Sequence, residues 1–172
     1  MFTAIEPPEA VRHRVLDQHT GMSGAVWETQ PHITLSHFGE LDPSQVERLQ
    51  AKLRALRFER FRVSPKEVGI FGDSAAPSVV WIGLESNPNL NALAEELAKV
   101  RASLVSTPDR HEFIPHMTLA RTSSVEPDEV NDFIETFDTE RIGSFSVTGF
   151  SLLESVDFRY RTVETFSASN TG

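Results

Sequence analysis

Two histidines in this chain begin nearly the same four-residue pattern. His32 to Leu35 reads HITL and His116 to Leu119 reads HMTL, and the two patterns lie 84 residues apart in a chain with only six histidines. In a β-strand, residues i and i+2 project from the same face, so each pattern would place one imidazole beside one hydroxyl. The two apolar residues would anchor the strand on its other face. Two imidazoles and two hydroxyls brought together suit a phosphodiester substrate.

The chemistry available to this set is acid–base catalysis at phosphorus. Opening a cyclic phosphodiester needs a base to take a proton from water and an acid to protonate the departing oxygen. Two imidazoles of opposite protonation state supply both near neutral pH, and the hydroxyls of Thr34 and Thr118 can donate to the charged transition state. The residues themselves do not say which histidine is the acid.

Arg121 follows the second pattern closely and could bind a phosphate. It lies three positions beyond Thr118, so regular strand alternation would turn it to the face of Leu119, away from the histidine. Contact with a phosphate in the cleft would therefore need a strand end, a twist or a bulge. The alternative is an ordinary surface arginine.

Composition limits the kinds of protein that this chain can be. Its 172 residues, 39% of them hydrophobic, can bury one core, which predicts a single domain over residues 1–172. The absence of cysteine excludes disulfides, thiolate nucleophiles and cysteine metal sites. The start of the chain has no basic leader, and no apolar run approaches the roughly 18 residues of a membrane span. We therefore expect a cytoplasmic, monomeric protein that does not contact membranes.

The net charge restricts the partners. A charge of −9 would repel a long phosphate backbone, so extensive sequence-independent binding to nucleic acid is not expected. A small cyclic nucleotide or the end of an RNA is compatible with this charge.

Each histidine pattern is followed by a predicted helix at the same distance. Pro43 and Pro127 both lie 11 residues after their histidine, at a position that suits the first turn of a helix, and Asp42 is a good cap for the first helix. Apolar stripes at helical spacing follow both prolines, at Val46, Leu49, Leu53 and Leu56 and at Val130, Phe133, Ile134 and Phe137.

The remaining patterns complete a duplicated architecture. They predict further helices after Pro8 and from Pro88 to about Leu104, and strands over residues 2–5, 25–28, 32–38, 58–63, 68–71, 79–84, 116–121, 144–153 and 158–168. From each histidine onward, both halves read strand, helix, strand, strand. We expect an α+β protein with two lobes related by a pseudo-twofold axis, antiparallel sheets lining a central cleft, and helices outside.

Further residues extend the two patterns into a resemblance to a known family. They are Phe2 to Pro8, Phe38 and Gly39, Gly69 to Phe71, Val80 to Gly83, and Pro115 to Arg121. With these, nearly the whole chain resembles the 2H phosphoesterase superfamily, in particular its LigT-like branch of bacterial and archaeal RNA 2′,3′-cyclic phosphodiesterases, also called 2′-5′ RNA ligases. One departure is His37, where that branch usually carries an aromatic residue.

The resemblance implies an activity and a set of site residues. It implies hydrolysis of RNA 2′,3′-cyclic phosphodiester ends to 2′-phosphomonoesters, with neither a metal nor a cofactor. His32 would be the proton donor and His116 the proton acceptor, while Thr34, Thr118 and Arg121 would bind the substrate phosphate. With an RNA 5′-hydroxyl in place of water, the reverse reaction would form a 2′-5′ linkage without ATP.

Two other functions are compatible with the sequence. One is a 2H phosphodiesterase with another small substrate, such as a 2′-5′ oligoadenylate or an ADP-ribose cyclic phosphate. The other is a nucleotide- or RNA-binding module without catalysis. The paired histidines disfavour the module, because binding alone does not need an acid–base pair.

Other conspicuous residues have ordinary structural explanations. Three aromatic residues in predicted strands could stack on a base, but we expect them in the core: Phe38, Phe71 and Trp81. Four histidines lack a partner at metal-ligand spacing and are expected to be solvated or hydrogen-bonded at the surface: His13, His19, His37 and His111.

Overall fold

A computed structural model of the chain describes residues 1–107, 112–157 and 159–169. Within these residues the strands are β1 Phe2–Ile5, β2 Val26–Trp27, β3 Ile33–His37, β4 Phe61–Val63, β5 Pro65–Asp73, β6 Ala76–Leu84, β7 His116–Arg121, β8 Phe145–Val147, β9 Gly149–Val156 and β10 Arg159–Ser167. The helices are α1 Glu9–Leu16, α2 Pro43–Ala55, α3 Pro88–Ala102, α4 Pro127–Thr136 and α5 Thr139–Ile142. The α+β class and the antiparallel strands predicted from the sequence are confirmed.

Seven strands follow one another across the main sheet in the order β10-β9-β1-β3-β7-β6-β5, and β2 pairs with the end of β7. The two motif strands, β3 and β7, are neighbours in the middle and pair through Ile33 and Met117. A separate two-stranded sheet joins β4 to β8, with Arg62 opposite Ser146. In both pairs the two residues lie 84 positions apart, the spacing of the histidine patterns. The duplication is therefore a pseudo-twofold symmetry whose axis passes through these two pairings.

The order of strands shows that the two halves of the chain are exchanged across this axis. On one side of β3 lies β1, and beyond it β9 and β10 from the second half of the chain. On the other side of β7 lies β6, and beyond it β5 from the first half. Each lobe therefore contains strands from both halves of the sequence.

The main core lies between one face of the sheet and the helices. Buried apolar residues of α2, α3 and α4 pack there, among them Leu49, Leu53, Leu90, Leu97, Val130 and Phe133. A small second cluster contains Phe2, Ala4 and Leu153. Phe2 and Ala4 alternate along β1 with Thr3 and Ile5, and Ile5 belongs to the main core, so the small cluster lies on the opposite face of the sheet. That opposite face is the one that carries the motif histidines.

The first motif helix begins with the cap that the sequence predicts. The Asp42 carboxylate accepts a hydrogen bond from the Gln45 backbone N–H at 2.8 Å, and the Gln45 side chain accepts one from the Asp42 N–H at 2.9 Å. Glu126 occupies the equivalent position before α4, but its side chain makes no capping hydrogen bond. The two helices are therefore equivalent in position and differ at their first turn.

Three expectations about the elements need correction. The single strand predicted over residues 144–153 is two strands, β8 and β9, because β8 pairs with β4 in the small sheet while β9 joins the main one. Helix α5 was not predicted, since its four residues are too few to show helical periodicity. Helix α3 ends at Ala102, before Leu104. His111, expected at the surface, and residue 158, the first of the strand predicted over residues 158–168, lie outside the described residues.

The membrane prediction can be compared only with the helices. In the part of the chain that the structure describes, none of them combines the length and the apolar character needed to cross a bilayer.

Candidate active site

The motif residues leave the central strands on the two faces that the sequence pattern predicts. Ile33 and Met117 are fully buried in the main core. The histidine before each of them and the threonine after it are only partly buried, on the cleft face of the sheet. Antiparallel pairing at the centre therefore brings together two imidazoles and two hydroxyls from positions 84 residues apart.

Both imidazoles are held in the same way. Nδ1 of His32 lies 2.7 Å from the backbone oxygen of Gln30, and Nδ1 of His116 lies 2.6 Å from that of Ile114. In each case the acceptor precedes a proline, which restricts it to extended conformations and so helps to fix the direction of its carbonyl. Because a carbonyl only accepts, Nδ1 must carry the proton. Nε2 therefore remains for chemistry, with a lone pair in the neutral ring and an N–H in the charged one.

His116 contacts two aromatic rings, themselves 5.2 Å apart, whose location corrects the sequence prediction. Phe71 and Trp81 were expected in the core, but both are only partly buried and stand 5.0 and 5.9 Å from the His116 ring, centroid to centroid. Phe38 is in the core, as predicted. A Cβ on Gly69 would overlap the indole ring of Trp81, so this glycine allows the indole to lie against the neighbouring strand.

Burial also sets the protonation state of His116. Desolvation lowers the pKa of this imidazole, the hydrogen bond to the Ile114 carbonyl partly opposes the shift, and the charge of His32 lowers the pKa further. At neutral pH His116 is therefore mainly uncharged, and its Nε2 lone pair can accept a proton. This effect of His32 on His116 agrees with the position of the two imidazoles on adjacent strands.

His32 has a different pair of aromatic neighbours. Its ring centroid lies 4.9 Å from that of Tyr160 in an edge-on contact and 5.4 Å from that of Phe2. Phe2 also contacts His37, at 5.6 Å. Sequence reasoning did not single out Tyr160 or Phe2 as site residues, because they reach His32 from β10 and β1 and no local pattern marks that contact.

A bulge places Arg121 on the catalytic face. Thr118 and Ala120 pair with consecutive residues of β6, so Leu119 between them has no opposite residue. Leu119 and Ala120 both point into the core, with no exposed surface, and the alternation of the strand is shifted by one position. Arg121, which is exposed, consequently leaves the strand on the same face as Thr118 and His116. From the sequence, Arg121 could contact a phosphate in the cleft only with the help of a strand end, a twist or a bulge. The structure has such a bulge.

The first motif strand has the same bulge at the equivalent residue. Thr34 and Ser36 pair with consecutive residues of β1, which leaves Leu35 between them. Leu35 and Ser36 are both buried, and the exposed His37 returns to the cleft face. His37 lies 84 positions before Arg121 and is therefore its counterpart across the twofold axis.

Arg121 is close enough to the surroundings of His32 to act on them. Burial and the neighbouring Glu28 carboxylate raise the pKa of the Tyr160 hydroxyl, whereas the charge of Arg121 opposes this shift. Because Tyr160 packs against His32, the charge of Arg121 acts on a side chain that contacts His32.

The other histidines differ in their surroundings. His13 is exposed, as expected, 3.8 Å from Glu9. His19 was also expected at the surface, but its ring is partly buried and stacks on Trp27 with centroids 4.4 Å apart, and burial lowers its pKa to about 4. Its Nε2 is buried and has no hydrogen-bond partner among the described residues. His19 therefore packs as a neutral ring in the folded protein.

No group of three or more histidine, cysteine, aspartate or glutamate side chains in residues 1–107, 112–157 and 159–169 is arranged to hold a metal ion. The metal-independence implied by the resemblance remains a prediction about the reaction.

Comparison with known proteins gives consistent matches along the chain. The family model described as the 2′-5′ RNA ligase superfamily matches residues 6–157. The RNA 2′,3′-cyclic phosphodiesterase of Archaeoglobus fulgidus is 30% identical over 161 residues, which cover 91% of this chain and 90% of that protein. The enzyme of the same name from Aeropyrum pernix is 32% identical over 162 residues, which cover 90% of this chain and 92% of that protein.

Solved structures agree on the fold. A crystal structure of a Thermus thermophilus protein superimposes with a TM-score of 0.76 over 96% of both chains, at 24% identity. Apo E. coli LigT superimposes with a TM-score of 0.73, covering 98% of this chain and 96% of LigT, at 22% identity. At these identities the structures establish the LigT-like fold.

Proposed function

Because the chain belongs to the 2′-5′ RNA ligase superfamily, we propose that it hydrolyses RNA 2′,3′-cyclic phosphodiester ends to 2′-phosphomonoesters. The observation that carries this proposal is the pair of imidazoles on adjacent central strands. His32 and His116 are each bound through Nδ1 to a backbone carbonyl, so that both rings keep Nε2 for proton transfer. The relatives that cover about nine tenths of the chain bear the name of this activity.

The geometry supports a proton acceptor role for His116. Its lowered pKa keeps it neutral near pH 7, so Nε2 can take a proton from water as the water oxygen bonds to phosphorus. His32, in its protonated form, then donates its Nε2 proton to the ribose 3′ oxygen as the bond from phosphorus to that oxygen breaks. The product keeps its phosphate on the 2′ oxygen. The two rings end with exchanged protonation states, and proton exchange with water restores them.

The polar residues on the same face would stabilise the transition state. Attack by water puts additional negative charge on the phosphate oxygens, and donors already directed at these oxygens lower the barrier. Thr34 and Thr118 supply hydroxyls beside the two imidazoles, and Arg121 supplies a guanidinium that can donate two parallel hydrogen bonds. We assign these three residues to phosphate binding.

Formation of a 2′-5′ linkage between two RNA ends would use the same groups as hydrolysis. An RNA 5′-hydroxyl in the place of water would open the cyclic phosphate and form a 2′-5′ linkage. The energy of the strained cyclic ester would drive this step, so ATP is not required. At ordinary RNA concentrations water would be the main acceptor.

The first test is turnover of a nucleoside 2′,3′-cyclic phosphate in the presence of EDTA, with the 2′ and 3′ products resolved by chromatography. We expect the 2′-phosphate from the wild type and at least a hundredfold less from His32→Ala and from His116→Ala, because positioned proton transfer typically contributes about 10² to 10⁴-fold. His13→Ala is the matched control, since His13 is exposed and lies 3.8 Å from Glu9 of the same helix.

Other outcomes would replace the proposal. Product that survives in both variants would exclude the two-histidine mechanism. If the wild type shows no turnover, assays with 2′-5′ oligoadenylate and ADP-ribose cyclic phosphate would test the other 2H substrates. Tight binding of product without turnover of any of these compounds would indicate a binding module.

We also propose that residues 1–172 act as one cytoplasmic, monomeric domain. Light scattering coupled to size exclusion would test the monomer, and a mass near twice 19.2 kDa would contradict it.

A further inference from the structure

Gln30 connects His32 to a distant strand through both its backbone and its side chain. Its carbonyl oxygen accepts the hydrogen bond from His32 Nδ1 at 2.7 Å. Its side-chain oxygen accepts from the Tyr160 backbone N–H at 2.9 Å, and its side-chain N–H₂ donates to the Tyr160 carbonyl at 3.2 Å. The side-chain amide of Gln30 thus both accepts from and donates to the backbone of β10, as the backbone of a neighbouring strand would. The loop that carries the His32 acceptor is thereby attached to the main sheet.

Glu28 adds a second connection to the same loop. Its carboxylate accepts hydrogen bonds from the Gln30 backbone N–H at 2.8 Å and from the Tyr160 hydroxyl at 3.3 Å. Its own backbone N–H donates to the carbonyl of Leu119, the bulged residue of the second motif strand, at 2.8 Å. The backbone N–H of Gln30 is therefore held by Glu28, and Glu28 is itself bound to the second motif strand and to Tyr160.

The second motif lacks this support. Ile114 is the twofold counterpart of Gln30, since both lie two residues before their histidine and present their carbonyl to its Nδ1. The Ile114 side chain is apolar and 46% exposed, so it cannot make the amide contacts that Gln30 makes. The segment before His116 is attached to β6 only through its backbone, since the Pro115 carbonyl accepts from the Leu84 N–H at 3.2 Å. Among the described residues, the two histidines therefore share the backbone acceptor, and the acceptor of His32 has in addition a side chain that binds another strand.

We propose that the Gln30 side chain, through its two hydrogen bonds to the Tyr160 backbone, is a positioning residue that fixes the tautomer and the orientation of His32 for proton donation. This inference deepens the proposed function and rests on it for the role of His32. It concerns the acid of the reaction alone, because the side chain of Ile114, which presents its carbonyl to His116, cannot make the hydrogen bonds of an amide.

The physical reason lies in the demands on a proton donor. If the Gln30 peptide rotates, Nδ1 loses its acceptor and the neutral ring can shift its proton to Nε2 or turn about its χ angles. A misplacement of about 1 Å at a reacting group can cost on the order of 100-fold in rate. Attachment of the peptide to β10 removes this freedom before the substrate arrives.

The decisive variant is Gln30→Met, which keeps the length of the side chain and removes both amide hydrogen bonds. Val156→Met is the control, at an apolar position of β9 that is 46% exposed and takes no part in the contacts described above for either histidine. We expect kcat of Gln30→Met to fall about tenfold while KM changes less than twofold, because the side chain acts on His32 and does not bind substrate. Val156→Met should leave both constants within about twofold of the wild type.

A second readout does not depend on turnover. Long-range ¹H–¹⁵N correlation spectra report which ring nitrogen of each histidine carries the proton in the neutral state. In the wild type, His32 and His116 should both show protonated Nδ1. In Gln30→Met, His32 should become a mixture of tautomers while His116 in the same sample remains unchanged.

Tyr160→Phe separates the backbone contacts from the hydroxyl. This variant keeps the Tyr160 N–H and carbonyl that bind Gln30, and removes only the hydrogen bond to Glu28. We expect the His32 tautomer to be unchanged and kcat to fall less than threefold, a bound set by the small net value of one long, partly buried hydrogen bond.

Failure of this inference can be distinguished from failure of the proposed function. Absence of turnover in the wild type contradicts the function, whereas an unchanged His32 tautomer in Gln30→Met contradicts the positioning role even if the enzyme is active. An equal loss of kcat in Val156→Met would also overturn it, and so would a loss in Tyr160→Phe as large as that in Gln30→Met. Should Gln30→Met unfold below the assay temperature, Gln30→Glu, which keeps the acceptor and loses the donor, replaces it under the same criteria.

Discussion

His32 and His116 are held by the same backbone contact in different surroundings. Burial lowers the pKa of His116, which contacts Phe71 and Trp81, and this suits it to accept a proton. The side chain of Gln30 is tied to β10, and its counterpart in the second motif, Ile114, has no amide that could make these contacts. Two copies of one pattern can therefore perform opposite proton transfers, because side chains outside the pattern differ.

The lowered pKa of His116 has a consequence for the pH dependence of the reaction. A base must be unprotonated, so kcat/KM should rise with pH as His116 loses its proton. Because the folded protein lowers this pKa, the rise should lie below pH 6.5, the ordinary value for histidine. The measurement is kcat/KM of the wild type between pH 4 and 8, and a midpoint above 6.5 would contradict the assignment of His116 as the base.

Arg121 is on the catalytic face only because of the bulge at Leu119. If it binds the phosphate, Arg121→Ala should lower kcat/KM by about 10- to 100-fold, since the loss of one donor aimed at the transition state can cost about 10² or more. Arg121→Lys should recover part of the activity, because lysine keeps the charge and loses the planar fork. Steady-state kinetics of both variants test this, and a change below twofold in Arg121→Ala would contradict it.

His19 should make the folded protein sensitive to mild acid. Its pKa is about 4 in the folded protein and near 6.5 when unfolded, so the unfolded chain binds the proton first as the pH falls. The stability is fully present above pH 6.5 and is lost as the pH falls toward 4. Each pKa unit is worth about 1.4 kcal/mol, and partial exposure of the ring reduces the effect, so we expect a loss of about 1 kcal/mol between pH 7.5 and 5.

His19→Gln provides the comparison for this prediction, and His13→Gln is its control because His13 is exposed. Urea denaturation at both pH values measures the free energy of unfolding. The wild type and His13→Gln should lose the same amount on acidification, and His19→Gln should lose less. Equal losses in all three proteins would show that His19 does not determine the acid sensitivity.

At the scale of the elements, the equivalent helices α2 and α4 start with different caps. Asp42 satisfies a backbone N–H of α2, and its counterpart Glu126 makes no such bond. Asp42→Ala should therefore lower the thermal midpoint by a few degrees, a typical effect of removing a capping side chain in a domain of this size. Glu126→Ala should shift it by less than one degree on the same basis. Differential scanning calorimetry measures both, and an equal shift would contradict the capping argument.

The bulges of β3 and β7 are the elements that complete the site. Each bulge turns two consecutive residues into the core and returns the next one, His37 or Arg121, to the cleft face. Sequence periodicity alone places both of these residues on the wrong face. A bulge depends on the pairing with a neighbouring strand, and that neighbour is β1 in one case and β6 in the other.

At the scale of the whole molecule, the lobes are built by strand exchange between the halves of the chain. The lobe that carries His32 contains β9 and β10, which come from the second half. A fragment of residues 1–75 would expose the edge of β1 and the small apolar cluster on its cleft face. We expect this fragment to be unfolded at 25 °C, as judged by circular dichroism and by the dispersion of its NMR signals. A fragment that folds cooperatively would show that strands from the second half are not needed for a stable fold.

The sequence alone determined the local features of this protein. The histidine and threonine spacing predicted the two motif strands and their shared face, the prolines and Asp42 predicted the starts of the helices, and the spacing of 84 residues predicted the twofold duplication. These predictions hold because strand alternation, helical periodicity and capping depend on residues within one or two turns of each other.

Only the tertiary structure decided which distant groups surround each imidazole. It placed Phe71 and Trp81 beside His116 and not in the core, turned Arg121 toward the cleft, and joined Gln30 to Tyr160, 130 positions away. These outcomes follow from strand register and from the exchange of strands between the halves. Register is set by pairing between segments that are far apart in the chain, so no local pattern of residues contains it.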